Sequence, residues 1–167
     1  MAEQIFPTKG NLIKAKRSLR QAQLGYELMD RKRSILIREM VSLTDEAREL
    51  RGTIDETYRT AYNALQRANI SMGVISDIAK MIPVDDSVQM SSRSVMGVEL
   101  PELSSQERAP GDIPYCMSFT NSSFDEAYLC FNRAREITVQ LAETENSIYR
   151  LAVSIKKTQK RANALKN

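Results

Sequence analysis

Few side chains in this sequence could do chemistry. They are two thiols, Cys116 and Cys130, the acid pairs Asp85 with Asp86 and Asp125 with Glu126, scattered serines, and the stretch PTKG from Pro7 to Gly10. A Ser or Cys nucleophile needs a general base, and the chain contains no His, so the usual triads are ruled out. A Lys-activated variant would need a pocket. The thiols have neither zinc-site spacing nor His companions, and they read as two reduced cysteines, Cys130 on an apolar helix face, with a disulfide between them as the alternative. PTKG lacks both the GxxxxGK[ST] spacing and a preceding strand, which argues against a phosphate loop. The acid pairs fit loop solvation and the favourable placement of negative charge at a helix start. No catalytic, cofactor-binding or metal-ligating residue is assigned.

The elements that would have to position such residues are long helices. At 167 residues the chain is of single-domain size, and it is rich in Leu, Ile, Met, Ala, Arg, Lys, Glu and Gln and poor in Gly, Pro and aromatics, a composition that favours an all-α protein. Counting in sevens from Leu12 gives Leu19, Tyr26, Arg33, Met40, Ala47, Ile54, Ala61, Ala68 and Ile75. Counting in sevens from Ala15 gives Ala22, Met29, Leu36, Leu43, Leu50, Thr57, Ala64, Ser71 and Ile78. The two series alternate at spacings of three and four over about nine heptads, the signature of a left-handed coiled coil. A first helix is expected from about Thr8 to Ile82, where Pro83 stops it, making residues 1–82 the N-terminal coiled-coil segment. Gly25, Gly52 and Gly73 interrupt it as local bends, close contacts or tolerated imperfections.

A second helix is expected over 122–167, opened by TNSSFDEA with Ser122 or Ser123 as its cap. Its seam is Ala127, Cys130, Ala134, Ile137, Leu141, Thr144, Ile148, Leu151, Ile155, Thr158, Ala162 and Leu165. Two such helices in one chain fold back as a long antiparallel hairpin. Between them, residues 83–121 contain Pro83, Pro101, Pro110 and Pro114, which exclude a continuous helix. Ser94 to Leu100 are expected as a short strand or half of a β-hairpin, so this segment is either a small head at one end of the rod or a linker. Equal rise per residue would put Asn167 opposite about residue 36, leaving about four heptads of the first helix unpartnered. Another protein or a C-terminal extension would have to cover them.

Charge is segregated along the chain. Nine basic side chains stand against two acidic ones between Lys9 and Arg38, and six against none between Asn146 and Lys166, although the net charge is only +3. Basic ends imply an acidic partner, a nucleic acid or a membrane surface, with a solvated helical face as the plain alternative. No apolar run approaches the roughly 20 residues needed to span a bilayer, and the N-terminus has no apolar core of signal-peptide length. A basic coiled-coil scaffold and a nucleic-acid-binding protein therefore both remain open on these grounds, although no aromatic platform accompanies the basic residues.

One family shares these features in order. Pro7, Thr8, Lys9, Leu12, Lys16, Leu19, Ala22, Gly25, Leu28, Lys32, Arg33 and Leu36 open the chain in a pattern that resembles the D subunit of the V-type and A-type rotary ATPases. IKKTQKRANALKN, from Ile155 to the end, is similar to that family's C-terminal motif through Thr158, Arg161, Asn163, Ala164 and Leu165, and SVMGVELPEL resembles its short middle segment. Asp30 and Ser34 depart from the pattern, as does Lys166, and family members continue beyond this motif with further helix. The chain is thus expected to lack the family's C-terminal extension. The resemblance implies a non-catalytic central-stalk subunit without cofactors. Its partners would be the A and B subunits of the catalytic hexamer, the F subunit and the C (or d) subunit, with no nucleic acid. It would couple ATP hydrolysis or synthesis to rotation and to proton or sodium transport. It would lie peripherally on the cytoplasmic side of the membrane, joined to it only through the rotor ring.

Overall fold

A computed structural model describes residues 6–84, 86–105 and 113–166. Asp85, Pro110 and Asn167, named above, lie outside them. The elements run α1 (Lys9–Met72), α2 (Ser76–Ala79), β1 (Val88–Val95), β2 (Val98–Ser105), a single 3-10 turn (Met117–Phe119) and α3 (Ser122–Lys166). The architecture is a long antiparallel pair, α1 against α3, with a two-stranded antiparallel hairpin between them in sequence.

Capping chemistry sets the helix ends. Thr8 is extended, and its Oγ1 accepts the Asn11 N–H at 3.3 Å, satisfying one of the free donors of the first turn. α1 ends at Met72, ten residues before the expected Ile82. Its cap is Gly73 at φ 81° and ψ −161°, a conformation essentially confined to glycine. The chain then makes only the short α2 before Pro83. α3 starts where expected, but its cap is Asn121 rather than Ser122 or Ser123: the Asn121 Oδ1 accepts the Phe124 N–H at 3.1 Å. The same side chain donates from Nδ2 to Ser71 Oγ at 2.9 Å, so the residue that starts α3 also ties it to the last turn of α1.

The early stop shifts the pairing register. Arg67 meets Glu126, Tyr58 meets Thr138, Arg51 meets Glu145 and Arg33 meets Gln159. Leu165 comes opposite Gly25, where its Cδ1 lies 3.4 Å from the position a Cβ would take. α3 therefore reaches about ten residues further along α1 than the sequence estimate, and about two heptads of α1 stand alone rather than four.

Burial follows the two heptad series. Near the turn, Ala64, Ala68, Ile75, Phe124 and Ala127 form one cluster, with Tyr115 packed edge-on against Phe124. Further along, Leu36, Leu43, Leu100 and Leu151 form a second. Each buried Leu or Phe is worth roughly 1.5–3 kcal/mol of apolar transfer.

The hairpin is not a head capping the end of the rod. It folds back along the flank of the coil, with Leu100 fully buried against both helices. Arg93 reaches Glu39 at 3.0 Å, Glu143 accepts the Leu103 N–H at 3.0 Å, and Arg150 donates to the Glu99 carbonyl at 3.0 Å. The stretch Ser94 to Leu100 straddles the hairpin turn instead of forming one strand. Met96 and Gly97 both have positive φ, the geometry of the two-residue turn that matches strand twist.

Candidate functional site

The parts of this molecule that could carry function are surfaces of the coil. The seam positions separate into three zones. At the centre Leu36, Leu43 and Leu151 are buried and Met40, Ile148 and Ile155 pack around them. Leu50, Ile54, Ile137 and Leu141 are half-buried between the two clusters, where Thr144 and Ser147 are the buried neighbours. Thr144 satisfies its hydroxyl on the Gln140 carbonyl one turn back, as Thr158 does on Ser154, so neither leaves a polar atom stranded in the seam. At the far end Met29 is half-buried, while Leu12 and Leu19 are 55% and 60% exposed.

The two terminal motifs, far apart in sequence, are brought side by side. Gly25 sits against Leu165, and its lack of a side chain lets the helices approach there. Arg33 donates to Gln159 across the coil and pairs with Asp30 at 2.6 Å along its own helix. Thr158 is buried beside them, Lys32 is half-buried, and Arg161, Asn163 and Ala164 face outward. Asn163 accepts from Gln159 Nε2 at 2.9 Å, which extends the polar chain begun at Arg33. Pro7, Thr8 and Lys9 lie at the exposed start of α1, beyond the reach of α3.

Antiparallel pairing also superposes the two basic runs. Lys156, Lys157, Lys160, Arg161 and Lys166 on α3 lie alongside the Arg31 to Arg38 turn and the approach to it on α1. One end of the rod is consequently strongly cationic. The opposite end, where the chain turns, is apolar: Ile70, Val74, Val84 and Phe119 are all more than two-thirds exposed. Sequence reading missed this apolar tip because its residues belong to no heptad series and meet only through the turn.

Cys116 is exposed and Cys130 is half-buried in the cluster near the turn, and the two are not bonded to each other. Tyr115 donates to Asp125 at 2.7 Å, and burial, that bond and the adjacent carboxylate push its phenol upward. Among the described residues, no helix is long and apolar enough to cross a membrane.

Comparison with known proteins places this geometry in context. A family model for the D subunit of ATP synthase matches residues 11–167. The chain is 44% identical to the D subunit of the V-type ATP synthase of Thermotoga neapolitana over 165 residues, covering 98% of this chain and 81% of that protein. It is 33% identical to the D subunit of the A-type ATP synthase of Pyrococcus horikoshii over 165 residues, covering 96% and 77%. Over 167 residues it is 33% identical to the corresponding A-type D subunit of Methanobrevibacter smithii, covering 98% and 72%.

Proposed function

The chain belongs to the family of ATP synthase D subunits, and from that premise we propose that it is the non-catalytic central-stalk subunit of a V/A-type enzyme. It transmits torque between ATP turnover in the A and B hexamer and an ion-carrying rotor ring moving protons or sodium. The observation that carries this reading is the meeting of the two terminal motifs, Gly25 to Arg33 and Thr158 to Leu165, on one cationic end of a stiff coil. A shaft must be slender, resistant to twisting and able to press on a surrounding sleeve. Two apolar clusters joined by a half-buried seam, with a polar exterior, meet the first two needs, and the exposed Lys and Arg meet the third where the sleeve is acidic.

In this reading Leu36, Met40, Leu43, Leu50 and Ile54 on α1, with Ile137, Leu141, Ile148, Leu151 and Ile155 on α3, hold the shaft together. Lys9, Lys32, Arg33 and Arg161 face the hexamer. The hairpin with its adjoining coil serves the F subunit, and the apolar tip around Val74 and Phe119 serves the C (or d) subunit, which joins the stalk to the membrane ring on the cytoplasmic side.

The test is co-expression with the cognate F subunit followed by size-exclusion chromatography with light scattering. A stable one-to-one complex is expected, and its addition to the A and B hexamer should give rotation-coupled ATPase activity. A helical monomer that binds neither F nor the hexamer would overturn the reading, and a steeply salt-dependent affinity for DNA in its place would assign the basic end to nucleic acid.

A further inference from the structure

The two edges of the hairpin are not alike. On β2 the Glu99 carbonyl accepts from Arg150 and the Leu103 N–H donates to Glu143, while Pro101 between them has no N–H to offer. Residues 99, 101 and 103 therefore turn their backbone groups toward α3 and away from β1, and that edge is closed. In an antiparallel ladder, the residue opposite one so turned directs its own N–H and C=O to the other outer edge. The register pairs Glu99 with Ser94, Pro101 with Ser92, Leu103 with Met90 and Ser105 with Val88. Val88, Met90, Ser92 and Ser94 thus present a row of N–H and C=O groups along the free edge of β1, where no backbone partner meets them among the described residues.

Nothing guards this edge. β1 has no Pro, no Lys and no break in its register, the usual means of keeping a second strand away. Its one charged side chain, Arg93, is held by Glu39. Val88 to Ser94 are exposed on both faces of the strand, with Met90 74% exposed, so this stretch stands clear of the coil. We infer that β1 pairs antiparallel with β1 of a second copy of this chain, about a two-fold axis at Ser91, joining two hairpins into one four-stranded sheet. That register sets Val88 against Ser94 and Met90 against Ser92 of the second copy, uses every outward group and forms about eight backbone hydrogen bonds. Arg93 falls opposite Gln89 rather than its own counterpart, so no like charges meet. The two Met90 side chains become diagonal neighbours on the outer face, each beside Leu103 of its own hairpin, which lays an apolar strip across the joint. Assembly also stops at two copies, because both outer edges of the new sheet are β2 edges already closed by α3. The inference concerns the chain free of other subunits and does not rest on the central-stalk reading.

One eight-residue strand from each copy makes a small contact, so the dimer is expected to form only at high micromolar concentration. Sedimentation velocity over a series from low micromolar to near-millimolar protein should show a reversible monomer–dimer equilibrium. Ser92→Pro removes an outward N–H that the hairpin does not use. It should abolish the dimer while helicity and the hydrogen-exchange protection of Arg93 and Leu100 are unchanged. The register is read by cross-linking on a Cys116→Ser background. The two copies of residue 91 would lie about 4.5 Å apart at Cα, within disulfide reach, whereas residue 94 would lie about 20 Å from its counterpart. With oxidised glutathione, Ser91→Cys should give disulfide-linked dimer at least tenfold faster than Ser94→Cys. A chain that stays monomeric throughout the series, a dimer that survives Ser92→Pro, or equal cross-linking of the two cysteine variants would overturn the inference. If Ser92→Pro unfolds the hairpin, the cross-linking comparison decides alone.

Discussion

Leu36, Leu100 and Leu151 come from α1, β2 and α3 and share one fully buried cluster, so the hairpin and the coil are stabilised at the same point. Truncating Leu151 to Ala should lower unfolding stability by about 2–5 kcal/mol, read from the urea-induced loss of helical circular dichroism. Leu100→Ala should leave most of the coil's helicity in place while hydrogen exchange in β2 accelerates, because only the hairpin loses its anchor. A coil that melts as readily in Leu100→Ala as in Leu151→Ala would show that the two are one cooperative unit. Near the turn, Tyr115 offers a pH handle. Its phenol is pushed above the ordinary value of about 10 by burial first, then by the bond to Asp125 and that residue's charge. The unfolded chain releases this proton first, so the stability Tyr115 contributes is complete below about pH 10 and is lost as the pH rises further. The melting temperature of the native sequence should fall more steeply above that pH than that of Tyr115→Phe. Parallel slopes would remove Tyr115 from the alkaline limb.

Among elements, α1 shows most plainly what a sequence can and cannot specify. Its heptad series named Leu36, Leu43, Ala47, Ala61, Ala64 and Ala68 as inward-facing, and these are its buried positions, because a seam repeating at 3.5 residues has only one way to face a partner helix. Its end was misplaced, since Ile75, Ile78 and Ile82 continue the apolar pattern through the turn. They still pack inward, but from the residue that caps α2, from α2 itself and from the turn that follows it rather than from a continuous helix. The decisive signal was Gly73, whose role depends on a backbone angle and not on hydrophobicity. Gly73→Ala should therefore cost about 1–3 kcal/mol. Gly52→Ala, in the middle of α1 with no atom within 4 Å of the added Cβ, should gain about 0.4–1 kcal/mol. Matched effects in thermal denaturation would contradict the assignment of Gly73 as the stop. The hairpin was legible only as a non-helical segment, because its position on the coil rests on Leu100 and on three contacts across 40 to 54 residues of sequence. The Asn121 cap was missed for a similar reason: in TNSS all four residues are of a type that can cap, and the contact to Ser71 that favours Asn121 is tertiary.

For the molecule as a whole, the antiparallel fold converts two basic runs at opposite ends of the sequence into one charged end of a rod. Fifteen basic side chains against two acidic ones lie in the segments 9–38 and 146–166, while the rest of the sequence carries nine basic against nineteen acidic. On the proposed central-stalk reading, a rod so polarised would act as an electrostatic guide: long-range attraction would orient the cationic end toward an acidic sleeve before contact, raising the association rate more than the final affinity. Among the described residues no helix packs against the exposed start of α1, so its basic side chains can be changed without disturbing the seam. Reversing Lys14, Lys16 and Arg20 to Glu should leave helicity and binding of the F subunit unchanged while slowing association with the A and B hexamer at least tenfold at low salt. The rate difference should narrow as salt approaches about 0.5 M, where the Debye length falls to a few ångströms. Stopped-flow mixing at several ionic strengths measures both. A slowing that persists unchanged at high salt would mean that these side chains make short-range contacts, and that the charge of the rod's end does not steer it.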